Sequence, residues 1–316
     1  GLAAAIKLSQ KGRNVTLVEA SGKLGGRTYS FTHKGTGDVI DNGQHILVGA
    51  YKNTLEYLDT IGTRKYLQVQ DEPQLNFWSE ERGFSTFKLS KKLPRKISFV
   101  NALLKFKGVS FKSKKEMIRV GNFLEDLYGR ENDIEGFTID EWLSSLNQTK
   151  EAKENFWFSI AISVMNELPS RASALLFARS LKQTFFSERE NANILIPTIG
   201  QTELYVEPAE KLLQKYGAKI FLNSEVVSVE VDENRISDVK LKNGESISVN
   251  SVISALPYFA LDRIVSSSDG NWKKEFLYLK KIDSSPIISI YLWFDKEIMD
   301  ETFLGVSGKN IQWVFN

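Results

Sequence analysis

The first residues carry apolar side chains at helical spacing. Leu2, Ile6 and the small Ala3, Ala4 and Ala5 make one packing face over 1–11, and Gly12 follows as a stop. Residues 14–20 then run as a short β-branched stretch ending near Glu19, the pattern of a buried parallel strand. Helix, glycine turn and strand form the second half of a βαβ unit. A glycine-rich loop follows over 22–28, then short strand-like pieces and the string Asp41-Asn42-Gly43-Gln44-His45. Residues 50–62 read as a helix with Leu55 and Leu58 inward, stopped by Gly62.

From 63 to 190 the pattern is mostly helical. Thr138 stands as an N-cap before Asp140-Glu141-Trp142-Leu143. Phe156, Ile160, Val164, Leu175 and Phe185 recur at helical spacing over 151–186. Shorter periods return at 194, where 194–197 enters a turn at Gly200. A helix is expected over 203–216, a strand over 219–222, and strands over 226–231 and 239–241 joined by Asp232-Glu233-Asn234. Asn243-Gly244 marks a hairpin turn. Residues 251–257 read as a buried strand and 287–294 as a strand of a further sheet.

The fold expected is α/β. A Rossmann-like nucleotide-binding domain is built from separated segments, 1–62 and 194–262. A helical plus mixed-sheet substrate domain is interleaved with it, over 63–193 and 263–316.

Composition narrows the chemistry. The chain has 316 residues with 42% hydrophobic and 25% charged, an ordinary globular balance. It has no cysteine, which removes disulfides, thiolate nucleophiles and Cys-ligated metals. Only His33 and His45 are available as imidazoles, so no metal centre is expected. Net charge is +2, and no nucleic-acid partner is expected. No apolar run is long enough to span a bilayer.

The candidate site rests on spacing. A dinucleotide fold needs glycine where the first strand turns into its helix, so that the helix N-terminus approaches a pyrophosphate. It also needs an acid for the ribose hydroxyls about 20 residues further on. Gly1 and Glu19 stand in that relation, with the earlier glycines of the fingerprint outside the chain. Gly25-Gly26-Arg27 then offers close backbone approach and a cation. A plain glycine turn with a solvated arginine has the same sequence, so the register with Glu19 decides between them.

Three strings together, Gly1 to Ala5, Val18-Glu19-Ala20 and Leu24 to Thr28, resemble the N-terminal signature of the flavin-containing amine oxidase and phytoene desaturase superfamily. Asp41 to Leu47 followed by Gly49-Ala50-Tyr51, with 196–209, resembles its squalene-associated branch, the hydroxysqualene dehydroxylases. The resemblance implies FAD as cofactor. It places Glu19 at the adenosine ribose, and Gly1, Gly25, Gly26 and Arg27 along the pyrophosphate and flavin side. It sets Gly43, Gln44 and His45 near the flavin ring, and Val227 at the adenine through its backbone. Ala255 and Pro257 follow near the cofactor. No catalytic residue is assigned. The bland reading of Asp41 is a side-chain cap on the Asn42-Gly43 turn.

The resemblance further implies an oxidoreductase acting on a long isoprenoid, with reductive dehydroxylation of hydroxysqualene to squalene as the first choice. A carotenoid desaturase, a flavin amine oxidase or an inactive binding relative are the alternatives. With the fingerprint's first glycines and the family's C-terminal flavin-binding segment outside it, the chain by itself is expected to bind FAD poorly. One further stretch invites a partner. Residues 88–119 hold eleven Lys or Arg against the single acid Glu116, together with Phe99, Leu103, Leu104, Phe106 and Phe111. A solvated helical face and a patch that docks on anionic lipid fit this pattern equally. The location expected is cytoplasmic, with contact at the inner face of the membrane.

Overall fold

In a computed structural model, residues 1–232, 235–308 and 310–316 are described, so Glu233 and Asn234 of the expected 232–234 turn lie outside the described residues. The chain divides into two compact units. The first is Gly1–Asn42, Glu56–Tyr66 and Pro197–Ser284; the second is Gly43–Leu55, Leu67–Ile196 and Ser285–Asn316. This division differs from the sequence reading at 43–55 and 194–196, which fall in the second unit, and at 63–66 and 263–284, which fall in the first.

In the first unit the Leu2–Gln10 helix leads into the strand Thr16–Val18, which pairs in parallel with Lys219–Phe221. Parallel pairing needs a crossover, and the helical turns over 202–215 lie just before the second of these strands. Ala5 and Ile6 pack on Ala209 and Leu213, flanked by Leu17 and Ile220 from the strands. The small alanines let the two helices approach closely. A second sheet in this unit is antiparallel, with Val226–Asp232, Arg235–Leu241 and Ser246–Ser248 in sequence order.

The second unit holds a dense aromatic core. Phe156 lies 5.0 Å from Phe87, 5.4 Å from Phe106 and 5.5 Å from Phe77, ring centre to ring centre. Around it pack the helices Arg95–Lys105, Phe111–Glu125 and Ala174–Phe185. Thr138 forms a full capping box with Glu141 at the start of Ile139–Ser145.

The 63–190 region is not purely helical. It contains a hairpin, Gln74–Ser79 with Gly83–Lys88, which joins Phe303–Val306 and Trp313–Phe315 in a four-stranded mixed sheet. Alternation puts Phe77 and Phe87 on the core face, with Trp78 and Phe84 on the other. Two expected strands are absent. Residues 251–257 and 287–294 have no ladder partner among the described residues, and Ile253, Ile287, Ile288, Ile290 and Leu292 stand exposed. Their apolar, β-branched sequence is right for a strand, but a strand is defined by pairing that local sequence cannot supply.

Of the apolar residues singled out in 88–119, Phe99, Leu103 and Phe106 are core, while Leu104 and Phe111 are exposed. Among the described residues no helix is long and apolar enough to cross a membrane.

Candidate functional site

Six of the nine residues singled out lie in the first unit. Gly1 is the N-cap of the Leu2–Gln10 helix. A side chain added there would meet Ala255 at 3.7 Å and Leu17 at 4.0 Å, so the helix start, the first strand and the 251–257 segment converge. The helix has no acid in its first turn and no side-chain cap. Its leading amides therefore remain for an outside acceptor.

Glu19 extends the parallel ladder by one residue, its N–H donating to the Phe221 carbonyl at 2.9 Å. Its Oε1 accepts from the Ser21 N–H at 2.8 Å. Its Oε2 has no partner among the described residues. Ser224 N–H donates to the Glu19 carbonyl at 2.9 Å, clamping the strand's end. A half-exposed carboxylate with one oxygen fixed and one open suits a pair of hydroxyl groups.

Gly25 shows why glycine is required there. Its φ is +96°, and an added Cβ would lie 2.5 Å from the Thr28 carbonyl oxygen and 2.6 Å from Val206 Cγ2. Gly26 has φ +60° and opens to solvent. Arg27 is exposed, and its guanidinium makes no ion pair among the described residues. Its carbonyl accepts from the Asn42 side chain at 2.8 Å, and Asn42 N–H donates to the Tyr29 carbonyl at 2.9 Å. The Gly25–Arg27 loop is therefore tied to the Asp41-Asn42 turn.

Asp41 also reaches well beyond its own turn. Its Oδ1 accepts from Ser30 Oγ at 2.6 Å and from the Gln201 N–H at 2.8 Å. Ser30 N–H donates to Thr202 Oγ1 at 2.7 Å, and Thr202 N–H returns to Ser30 Oγ at 3.1 Å. An added Cβ on Gly200 would fall 2.6 Å from Ser30 Oγ, so this knot needs glycine at 200. The helix that follows opens with a π turn, Thr202–Val206. A π turn leaves carbonyls in need of partners. Leu204 receives Thr63 Oγ1 at 2.8 Å, and Tyr205 receives the Tyr57 hydroxyl at 2.6 Å. Burial pushes the Tyr57 hydroxyl well above the usual tyrosine range, with Tyr205 adding to the shift.

Val227 is the extra residue of a β-bulge. Val226 pairs with Leu241 and Ser228 with Lys240, so Val227 has no opposite number. A bulge frees backbone groups from the ladder for another partner.

Gly43, Gln44 and His45 lie in the second unit. Gly43 has φ +84°, and its N–H donates to the Tyr291 hydroxyl at 2.9 Å. Gln44 and His45 are exposed on an irregular segment before the strand Leu47–Val48, which pairs antiparallel with Leu195 and Ile194. Just beyond, Gly49 admits no side chain, because a Cβ would sit 1.8 Å from the Glu190 carbonyl oxygen.

The Ser30–Asp41–Gln201–Thr202 knot and Tyr291 escape sequence reading. Gly200 in its turn was the one signal that pointed toward the knot.

A helix start without an acid, a carboxylate with an open oxygen, and a glycine loop with a free guanidinium suit a dinucleotide. The chain belongs to the flavin containing amine oxidoreductase family, whose model matches residues 1–313. That family is one of flavin-dependent oxidoreductases. It is 24% identical over 305 residues to a 15-cis-phytoene desaturase of an Oncidium hybrid cultivar, covering 94% of this chain and 51% of that one. It is 24% identical over 330 residues to the hydroxysqualene dehydroxylase of Sinorhizobium fredii, covering 100% of this chain and 70% of that one. The chain spans about half the length of the plant phytoene desaturases it matches. Among solved structures, putrescine oxidase bound to putrescine shares the fold, with a TM-score of 0.62 at 20% identity, covering 87% of this chain and 60% of that one.

Proposed function

We propose that the protein acts on a long isoprenoid and, within that class, replaces the hydroxyl of hydroxysqualene with hydrogen to give squalene. The observation that carries this reading is the match to hydroxysqualene dehydroxylase along 100% of the chain. Other curated relatives are named for phytoene and zeta-carotene, which are also long polyenes, so the isoprenoid class rests on more than one of them. In this reaction a C–O bond breaks, a C–H bond forms, oxygen leaves as water, and reduced FAD supplies the two electrons.

The chain's own residues bind and orient. Glu19 holds the ribose hydroxyls through its open oxygen. The Leu2–Gln10 helix start, Gly25 and Gly26 take the pyrophosphate on backbone N–H groups, and Arg27 offsets its charge. Val227 meets the adenine through its freed backbone. Separately, Gly43, Gln44 and His45 contact the flavin ring. The segments 1–62 and 194–262 carry the cofactor, and 63–193 with 263–316 carry the substrate. The enzyme works in the cytoplasm, at the inner face of the membrane.

The test is product analysis by mass spectrometry, using the full-length, flavin-loaded and reduced protein with hydroxysqualene, phytoene and a panel of amines. Squalene is the expected product. No turnover of hydroxysqualene removes the first choice, and dehydrogenation of phytoene puts a carotenoid desaturase in its place. His45→Ala should shift the flavin absorption bands, and an unchanged spectrum removes His45 from the ring.

A further inference from the structure

The basic stretch 88–119 falls into two parts in the structure. In the first, two of the five cations have acidic partners: Lys88 meets Glu72 at 2.9 Å and Lys96 meets Glu125 at 2.6 Å. At the corner between the Arg95–Lys105 and Phe111–Glu125 helices the situation differs. Lys105, Lys107, Lys112 and Lys115 make no ion pair among the described residues. Lys114 donates to the Leu104 carbonyl at 2.8 Å, fastening the first turn of one helix to the last turn of the other.

Two apolar side chains stand uncovered among these lysines. Phe111 is 74% exposed and Leu104 is 49% exposed, with Ile97 two turns back on the same helix face as Leu104. Their neighbours Phe99, Leu103 and Phe106 are buried, so the core was within reach of this segment and left Phe111 outside it.

Phe111 is also held firmly. Ser110 caps its helix, and Glu151 Oε2 accepts from Ser110 N–H at 3.0 Å, Ser110 Oγ at 2.6 Å and Ser113 Oγ at 2.6 Å. An aromatic residue fixed on a rigid mount, with lysines close to it in the chain, is poorly suited to bulk water. A phosphodiester backbone would use the lysines and leave the apolar tips wet. A bilayer surface uses both, because lysine stems run along the apolar boundary while the ammonium groups stay at the headgroups.

We propose that the 104–115 corner docks reversibly on an anionic lipid surface, with Phe111 and Leu104 entering the acyl boundary and Lys105, Lys107, Lys112 and Lys115 at the headgroup phosphates. The proposal rests on the isoprenoid reading for its purpose, since such a substrate dissolves in bilayers, and its test needs no substrate.

The full-length protein is sedimented with phosphatidylglycerol vesicles and with phosphatidylcholine vesicles. Binding to the first is expected, and it weakens with added salt. Each cation near such a surface is worth roughly fivefold in affinity, so reversing all four lysines to Glu weakens binding at least about a hundredfold. Phe111→Asp also removes most binding with every lysine in place. Because this chain has no cysteine, Phe111→Cys accepts a label whose emission reports entry into an apolar phase. That emission should rise only with phosphatidylglycerol vesicles. Phe111→Asp binding like the parent, or a label unmoved by vesicles, overturns the proposal. Preference of the lysines for duplex DNA with the label unmoved also overturns it and marks a nucleic-acid surface. Turnover of hydroxysqualene in detergent is measured separately. Its absence, with vesicle binding intact, counts against the substrate reading alone.

Discussion

The aromatic core of the second unit and the glycine-tied loops of the first hold their shapes by opposite means. Around Phe156, position is fixed by bulk. Rings fill space, and most of the helices bring side chains with no polar atoms to satisfy. Around Gly25, Gly200 and Asp41, position is fixed by leaving bulk out. Glycines let backbones close to within hydrogen-bonding distance, and one carboxylate ties a hairpin to a helix start. The first arrangement tolerates shape changes poorly but has no reason to bind anything. The second leaves amides, one carboxylate oxygen and a guanidinium facing outward. Close packing and outward-facing polar groups are thus supplied by different kinds of residue in different segments.

Substitutions can test that contrast. Removing the central ring with Phe156→Ala is expected to cost about 4 kcal/mol. Hydrogen exchange should show the loss over 95–186, and equal loss over 1–30 would erase the distinction.

Glu151 provides the next effect. Burial pushes its carboxyl up, but bonds from Ser110 and Ser113 and the ion pair with Arg82 outweigh that and bring it from 4.5 to about 2. A depressed carboxyl contributes stability that is present above its unfolded value and lost as pH falls through its folded one. About 3 kcal/mol should therefore disappear between pH 4.5 and 2, by denaturant titration. Glu151→Gln should flatten that slope.

Gly25→Ala acts on the other side of the contrast. A strained loop costs about 2 kcal/mol, which should appear as roughly thirtyfold weaker FAD binding by the full-length protein, with protection over 95–186 unchanged. The smallest effect is Thr138→Ala, which breaks the capping box and costs about 1 kcal/mol by thermal melting.

The parts legible from sequence share a property: each is settled within a few residues of itself. The Leu2–Gln10 helix, its Gly12 stop, the Lys52–Ile61 helix and the Thr138 cap all have their determinants nearby. The hairpin at Gln74–Lys88 was missed although alternation and Gly83 were there to read, because its aromatic and Lys-rich surroundings suggested helix. The long-range bonds of Asp41 were missed for another reason. Its partners, Ser30 and Gln201, are distant in sequence, and no local pattern announces them. The need for glycine at 25 was readable because glycine is rarely interchangeable where φ is positive. Tyr291, by contrast, carries no such mark.

The uncovered run from Ile287 to Phe294 has a consequence for the newly made chain. It is apolar, β-prone and without a charge, the composition that seeds intermolecular β-pairing. Pro286 stands immediately before it and Asp295-Lys296 immediately after. Such flanking residues interrupt runaway stacking. The cell's chaperones would meet this stretch as a short sticky window between built-in brakes, and replacing Pro286 or Asp295 with valine should lower the soluble yield before it alters any folded property.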